Sequence, residues 1–320
     1  MMLWLVAFAV VFILTMILMP VFAKLANKFD FTDKPTERKK HREPMPLSGG
    51  LAMFVAFTVG FLIFVIRMDP VMPWVLLGAA MIVGVGLVDD YSKSKRREFP
   101  VWPRLLVHVG AAVVAFAGNI RFTGFFNHFT DTYVYLPVAL QFILTVLWIV
   151  GLVTVFNFMD GLDGLSGLLA LVAGSTFFVV ALYVGQPESA ALSAVFVAAT
   201  LGFLRFNLPP AKVYMGDSGA YLLGFMLAAI SLQGAFKQAT VVSLAIPMLA
   251  MGVPIFDTIL VVARRLLAHR PAHIADSSDI THIHYRLIKR GLSPRHAVLL
   301  IVLVSLCLSL TSIVLLLTFQ

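Results

Sequence analysis

Charged side chains are scarce in this sequence: Asp, Glu, Lys and Arg make up 12% of its 320 residues, whereas hydrophobic residues make up 60%. A soluble globular domain carries about 25% charge, so this balance excludes an ordinary water-facing surface. Cysteine occurs once, at Cys307, which excludes a disulfide framework. No GxxxxGK[ST] segment is present, which excludes a P-loop nucleotide site as far as a motif can. Internal repeats, low-complexity tracts and linkers are absent as well, and residues 1–320 read as a single domain.

What the chain has instead is long uncharged runs. A helix crosses a hydrocarbon core of about 30 Å with roughly 20 apolar residues, each rising about 1.5 Å. Ten runs suit that role: 1–23, 44–66, 71–88, 105–120, 132–159, 164–187, 189–204, 218–236, 238–256 and 296–320. The first could be a signal peptide, but it lacks the Lys or Arg that such peptides carry at their start, and it reads as a retained span. Pro247 and Pro254 make the ninth run the expected irregular one, since each removes a backbone donor. The connection from Asn119 to Leu136, with its TDTYVYLP stretch, suggests a short hairpin.

The net charge of +8 is topological rather than a sign of nucleic acid, which is not an expected partner. If ten spans alternate across the bilayer, 21 of the 24 Lys and Arg residues fall on one face and only Arg67, Arg121 and Lys237 on the other. Basic loops stay in the cytoplasm, so both termini are expected outside. The fold class is therefore all-α and polytopic, with about ten transmembrane helices in the plasma membrane.

Thirteen of the 16 acidic residues lie on the same inner face, the exceptions being Asp69, Asp131 and Glu188. Five of them sit where apolar runs meet the cytoplasm: Asp89 and Asp90 in GLVDDYSK, Asp160 and Asp163 in NFMDGLDGLSG, and Asp217 in KVYMGDSGAYLLG. Asn157, Asp160 and Asp163 are three apart, so a helical turn would put them on one face. Asp217 could instead be an N-cap, and Asp89 and Asp90 could merely pair with Lys93, Lys95 or Arg96. Five converging carboxylates would repel one another without a cation among them. Oxygen ligands without cysteine suit Mg²⁺, with Mn²⁺ the other candidate, and Mg²⁺ is usually held by one or two carboxylates together with substrate phosphates.

The last basic loop, THIHYRLIKRG, adds His282, His284 and Arg286, residues able to receive a phosphate or move a proton. His269, His273 and His296 read as ordinary surface histidines. Asp257 in PIFDT is a lone carboxylate near hydrocarbon and needs a partner, for which Arg264 or Arg265 is the expected candidate. Carboxylates, helix ends and a cationic loop together describe a phosphate or diphosphate site at the membrane surface. Such a site suits phosphoryl transfer, which asks for positioning and charge neutralisation.

The blocks DKPTERKKHREPMPLSGG, GLVDDYSKS, NFMDGLDGLSG, KVYMGDSGAYLLGF, PIFDT and HIHYRLIKRGLS occur in this order from Asp33 to Ser293. So arranged, the chain resembles the polyprenyl-phosphate N-acetylhexosamine-1-phosphate transferases. The resemblance implies that undecaprenyl phosphate attacks the β-phosphorus of a UDP-N-acetylhexosamine, releasing UMP, with Mg²⁺ as cofactor and a homodimer as the expected assembly. It further implies an acidic pair, Asp89 and Asp90, with Asp89 as base and Asp90 also near the metal. Asp217 and Asn157 would be metal ligands, and Asn157, Asp160 and Asp163 would form the nucleotide and catalytic block. His282, His284 and Arg286 would handle the donor's sugar and diphosphate; the first loop, with Asp33, Lys34, Arg38, His41 and Arg42, also matches, Lys34 and His41 joining the binding set, and reads equally well as a basic anchor to anionic lipid.

The His-Ile-His-Tyr-Arg run is similar to the WecA and TagO branch, whose usual donor is UDP-N-acetylglucosamine, rather than to the MraY branch, which carries three consecutive histidines and uses a muramoyl-pentapeptide donor. Tyr285 stands where the former branch commonly has another histidine and is left out of the catalytic set. The competing class is a transporter of lipid-linked sugar. Its acids should lie near the bilayer midplane, whereas these lie at the ends of the runs.

Overall fold

The computed structural model describes residues 2–34, 44–127, 132–234, 241–267 and 282–319. The order of elements is α1 (Met2–Lys28), β1 (Thr32–Asp33), β2 (Met45–Pro46), α2 (Gly49–Phe64), α3 (Met72–Ser94), α4 (Val101–Ala117), β3 (Gly124–Asn127), β4 (Thr132–Tyr135), α5 (Val138–Met159), α6 (Leu165–Tyr183), α7 (Pro187–Asn207), α8 (Gly216–Gln233), α9 (Val241–Ala250), α10 (Gly252–Leu267), α11 (Ile283–Lys289) and α12 (Pro294–Phe319). In hydrocarbon each backbone polar group must find its partner within the segment, and uncharged runs of this length can do so only as helices.

Among the described residues six helices are long and apolar enough to cross a membrane: α1, α3, α5, α6, α7 and α12. Helices α2 and α4 are shorter apolar segments. The chain is thus an all-α polytopic membrane protein. Helices α1 and α12 expose Leu5, Ile13, Ile17, Leu299, Leu303 and Leu310, an apolar exterior that matches lipid. Helix α8 is the opposite case. Every residue from Asp217 to Gln233 is buried, and the helix packs against α2, α3, α5, α6 and α7. A helix that is apolar on all sides belongs in the centre of its bundle.

The ninth run is broken as its prolines require. Helix α9 ends at Ala250 and α10 begins at Gly252, and the N–H of Met251 donates to the carbonyl of Pro247 at 3.1 Å. Proline at 254 has no N–H to carry the ladder back to Ala250. The expected hairpin is present: β3 and β4 pair antiparallel with Gly124 opposite Tyr135 and Asn127 opposite Thr132. Near the start, β1 and β2 form a second antiparallel pair, Thr32 opposite Pro46.

Candidate active site

The site is built where α3 ends, α4 begins and α8 begins. Helix α8 opens with Gly216 at φ +69°, a left-handed turn, and a β-carbon there would collide with the Asp90 carboxylate. That turn aims the first free N–H groups of α8 at α3. Asp90 accepts from the N–H of Asp217 at 2.7 Å, the N–H of Ser218 at 3.1 Å and the hydroxyl of Ser218 at 2.7 Å. A helix leaves its leading donors unsatisfied and carries partial positive charge there, so a buried carboxylate is an apt cap. The cap of α8 is therefore supplied by another helix, not by Asp217.

Asp89 turns elsewhere, because neighbours on a helix point about 100° apart. It accepts from Arg104 Nη1 of α4 at 3.0 Å and from the hydroxyl of Tyr221 at 3.2 Å. The same Tyr221 hydroxyl lies 3.2 Å from Asp217 Oδ2, and Asp217 Oδ1 is 2.6 Å from Lys93 Nζ. Asp89 and Asp217 are thus linked through one phenol and flanked by two cations, Arg104 and Lys93. Below them His108 of α4 packs edge-on against Tyr221, ring centroids 4.7 Å apart, with its Nε2 buried and without a hydrogen-bond partner among the described residues. Lys95, expected as a partner for the acidic pair, lies 3.5 Å from Asp30 instead.

The second acidic block lies in the loop between α5 and α6. Helix α5 stops at Met159 and Asp160 is its C-cap, so Asn157, Asp160 and Asp163 do not share a helical face as their spacing suggested. Asp160 Oδ1 accepts from the Ser166 hydroxyl at 2.9 Å, and Asp163 Oδ2 accepts from the N–H of Ala211 at 3.0 Å. Burial pushes the Asp160 carboxyl up to about 7, with the Ser166 hydroxyl pulling the other way and Asp217 adding to the rise. Asn207 joins this loop to the next, accepting from the N–H of Gly164 and donating to the carbonyl of Val213, each at 2.9 Å.

The histidine loop meets the same region from α10 and α11. His282 and His284 are fully buried, with rings nearly parallel and centroids 5.9 Å apart. A β-carbon on Gly161 would strike His284 Nε2, so that glycine is what lets the imidazole lie on the Asp160 loop. Burial, then His282, hold the His284 imidazole down to about 4, against the pull of Asp257; it is neutral at ordinary pH. The partner of Asp257 is not the arginine expected for it. His282 Nδ1 lies 2.7 Å from Asp257 Oδ2, and the N–H of Ile283 donates to Oδ1 at 2.9 Å. Arg265 lies over the Phe158 ring at 5.9 Å.

Of the remaining expected residues, Asn157 is half-buried at the end of α5 and Arg286 half-buried on α11. Lys34 pairs with Asp30 at 2.7 Å. His41, with Arg38, Arg42, His269 and His273, lies outside the described residues. His296 bonds Ser293 at the start of α12, the surface role foreseen for it. Among the described residues no three His, Cys, Asp or Glu side chains are grouped to hold a metal alone. Asp89 and Asp217, two carboxylates within reach of one phenol, do fit the oxygen-only, substrate-completed manner in which Mg²⁺ is bound.

Four residues were not singled out by sequence. Tyr221 carried a signal, since it lies four residues after Asp217 on one helix face. Arg104 was counted only as a loop charge. Ser218 and Asn207 gave no sign, because their partners are 128 and 43 residues away.

The family model described as glycosyl transferase family 4 matches residues 72–235, the stretch from α3 to the end of α8. A Bacillus subtilis protein named "Probable undecaprenyl-phosphate N-acetylglucosaminyl 1-phosphate transferase" is 38% identical over 311 residues, covering 97% of this chain and 84% of its own length. Decaprenyl-phosphate N-acetylglucosaminephosphotransferase of Mycobacterium tuberculosis is 32% identical, with 87% of this chain and 74% of its own covered. Undecaprenyl-phosphate alpha-N-acetylglucosaminyl 1-phosphate transferase of Escherichia coli is 26% identical over 93% of this chain and 80% of its own.

Proposed function

The chain belongs to glycosyl transferase family 4, and from that membership we propose that it transfers N-acetylglucosamine 1-phosphate from UDP-N-acetylglucosamine to undecaprenyl phosphate, releasing UMP. The product is a lipid-linked sugar diphosphate, the opening intermediate of a cell-envelope polysaccharide such as teichoic acid or O-antigen. One observation carries the reading: the facing carboxylates Asp89 and Asp217, with Lys93 and Arg104 beside them, stand where three helix ends meet.

Each residue has a part that its surroundings permit. Asp89, held by Arg104 and Tyr221, accepts any proton left on the lipid phosphate and orients that phosphate for attack. Lys93 and Arg104 neutralise phosphate charge as it shifts toward the leaving UMP. Asp217 and Asp89, with Asn157, would hold Mg²⁺ or Mn²⁺, which when bound supplies charge neutralisation on the diphosphate. Asp90 has both oxygens engaged by α8 and is fully buried, so it acts as a positioning residue rather than as a ligand or base. Asp160 and Asp163 shape the loop that meets the nucleotide, and His282, His284 and Arg286 meet the donor's sugar and diphosphate.

The lopsided distribution of Lys and Arg supports ten membrane crossings with both termini outside and this cluster facing the cytoplasm, where UDP-sugars are made. The test is UMP release by detergent-purified protein given undecaprenyl phosphate, Mg²⁺ and one of two donors. Lipid-dependent release from UDP-N-acetylglucosamine supports the proposal. Release from UDP-N-acetylmuramoyl-pentapeptide alone moves the chain to the other branch, and release that survives chelation of divalent cations overturns the metal assignment.

A further inference from the structure

Asp257 and His282 stand 25 residues apart in sequence and meet at 2.7 Å, Oδ2 to Nδ1, with both side chains buried. A carboxylate only accepts hydrogen bonds. The proton in this contact therefore sits on Nδ1, and the nitrogen left over is Nε2. That atom is buried and has no partner among the described residues, as is true of both ring nitrogens of His284. Three unsatisfied imidazole nitrogens in one place are unusual in a folded protein, because buried polar atoms are nearly always hydrogen-bonded.

The surroundings place these rings against the Asp160 loop. His282 lies between Phe158, at the end of α5, and His284, and His284 lies on Gly161 of the Asp160 loop. The other oxygen of Asp257 accepts from the N–H of Ile283, which fixes the start of α11. One carboxylate thus sets both the position of the backbone that carries His282 and the orientation of its ring.

We infer that Asp257 is a positioning residue for the transfer reaction: it holds His282 in the Nδ1–H form, so that Nε2 is presented as a hydrogen-bond acceptor to a hydroxyl or amide N–H of the donor's N-acetylated sugar. The inference rests on the function proposed above and extends it to a residue whose sequence context suggested only a structural ion pair.

The decisive variant is Asp257→Asn. Its Oδ1 can still accept from Ile283, so the start of α11 is kept. Its amide nitrogen replaces the acceptor that faced Nδ1, and a donor there requires Nδ1 to give up its proton, which the ring then carries on Nε2. The expected result is a kcat lowered about a hundredfold or more with KM for UDP-N-acetylglucosamine little changed, the pattern of a histidine held in the wrong tautomer. Ring ¹⁵N resonances of histidine-labelled protein, with His282 assigned by comparison with His282→Asn, should switch from the Nδ1–H to the Nε2–H pattern.

His282→Asn provides the second arm, since its amide nitrogen sits where Nδ1 does and keeps the bond to Asp257 while Nε2 is deleted. It should be as inactive as Asp257→Asn, and the double variant no worse than either, because residues that act as a unit are not additive. Wild-type turnover in either single variant, or an Nε2–H pattern already present in the unaltered protein, overturns the inference. Failure of the unaltered protein to release UMP from UDP-N-acetylglucosamine would instead overturn the proposed function, and the ¹⁵N pattern would still decide how Asp257 holds the ring.

Discussion

The hydroxyl of Tyr221 lies 3.2 Å from Asp89 Oδ2 and 3.2 Å from Asp217 Oδ2. A phenol has one proton to give, so it can donate to only one of two ionised carboxylates at a time. The pair is therefore held together incompletely, and a cation between the two carboxylates would complete it. Tyr221→Phe removes the link while keeping the ring that packs on His108. Loss of one net hydrogen bond is worth about 1 kcal/mol, so turnover should fall about fivefold to tenfold, and half-maximal activation should need more Mg²⁺. Activity titrated against Mg²⁺ at saturating donor checks this.

Asp89 and Asp90 are adjacent yet predict different failures. Asp89→Asn should cut turnover by a factor of about 10² to 10⁴, the usual worth of a proton-transferring group, with the melting temperature in detergent nearly unchanged. Asp90→Asn turns an amide toward the N–H groups of Asp217 and Ser218, and should lower stability by about 1–3 kcal/mol. Thermal unfolding and UMP release measured on both variants separate the two roles.

Asp160 ties activity and stability to pH in opposite senses. Its ordinary value is 3.8 and burial raises it to about 7, so between those values the folded chain holds a proton that the unfolded chain has released. Its contribution to stability is therefore full below pH about 4 and is lost as pH rises through about 7. The carboxylate form is the one that can meet a cation or accept a proton, so kcat/KM should rise over the same interval. Replacement by Asn should remove this share of the pH slope in thermal unfolding and abolish most turnover; an unchanged slope would exclude Asp160 as its source.

Gly216 and Gly161 should tolerate no side chain, for separate reasons. Gly216→Ala forces an L-residue into a left-handed turn, which costs about 1–2 kcal/mol, and drives a methyl into Asp90. Gly161→Ala has no such backbone cost and instead displaces His284 from the loop. The first should appear mainly as lost thermal stability, the second mainly as lost turnover in a folded protein.

The helices were legible because hydrocarbon leaves a long uncharged chain no other backbone arrangement, and the split between α9 and α10 because proline lacks a donor. That Asp89, Asp160 and Asp217 gather at one end also followed from where the uncharged runs stop. The division of labour inside GLVDDYSK did not, since a sequence says that two carboxylates are neighbours but not which one meets the N-terminus of α8 127 residues later. For the same reason Asp257 was matched to nearby arginines when its partner is His282. Asn157, Asp160 and Asp163 misled in a third way: a spacing of three implies a shared face only while the helix lasts, and α5 ends at Met159.

Helix α8, enclosed by protein along its whole length, gains nothing from lipid. Its neighbours are as apolar as the bilayer it would otherwise contact, so its place in the bundle is secured by close fit rather than by expulsion from water. Biogenesis must therefore deliver it into a slot of matching shape, and a shortened side chain such as Phe225→Ala would leave a gap rather than a wet surface. Detergents that preserve the lateral squeeze of a bilayer should consequently extend the working lifetime of the purified enzyme more than those chosen to cover its exposed belt.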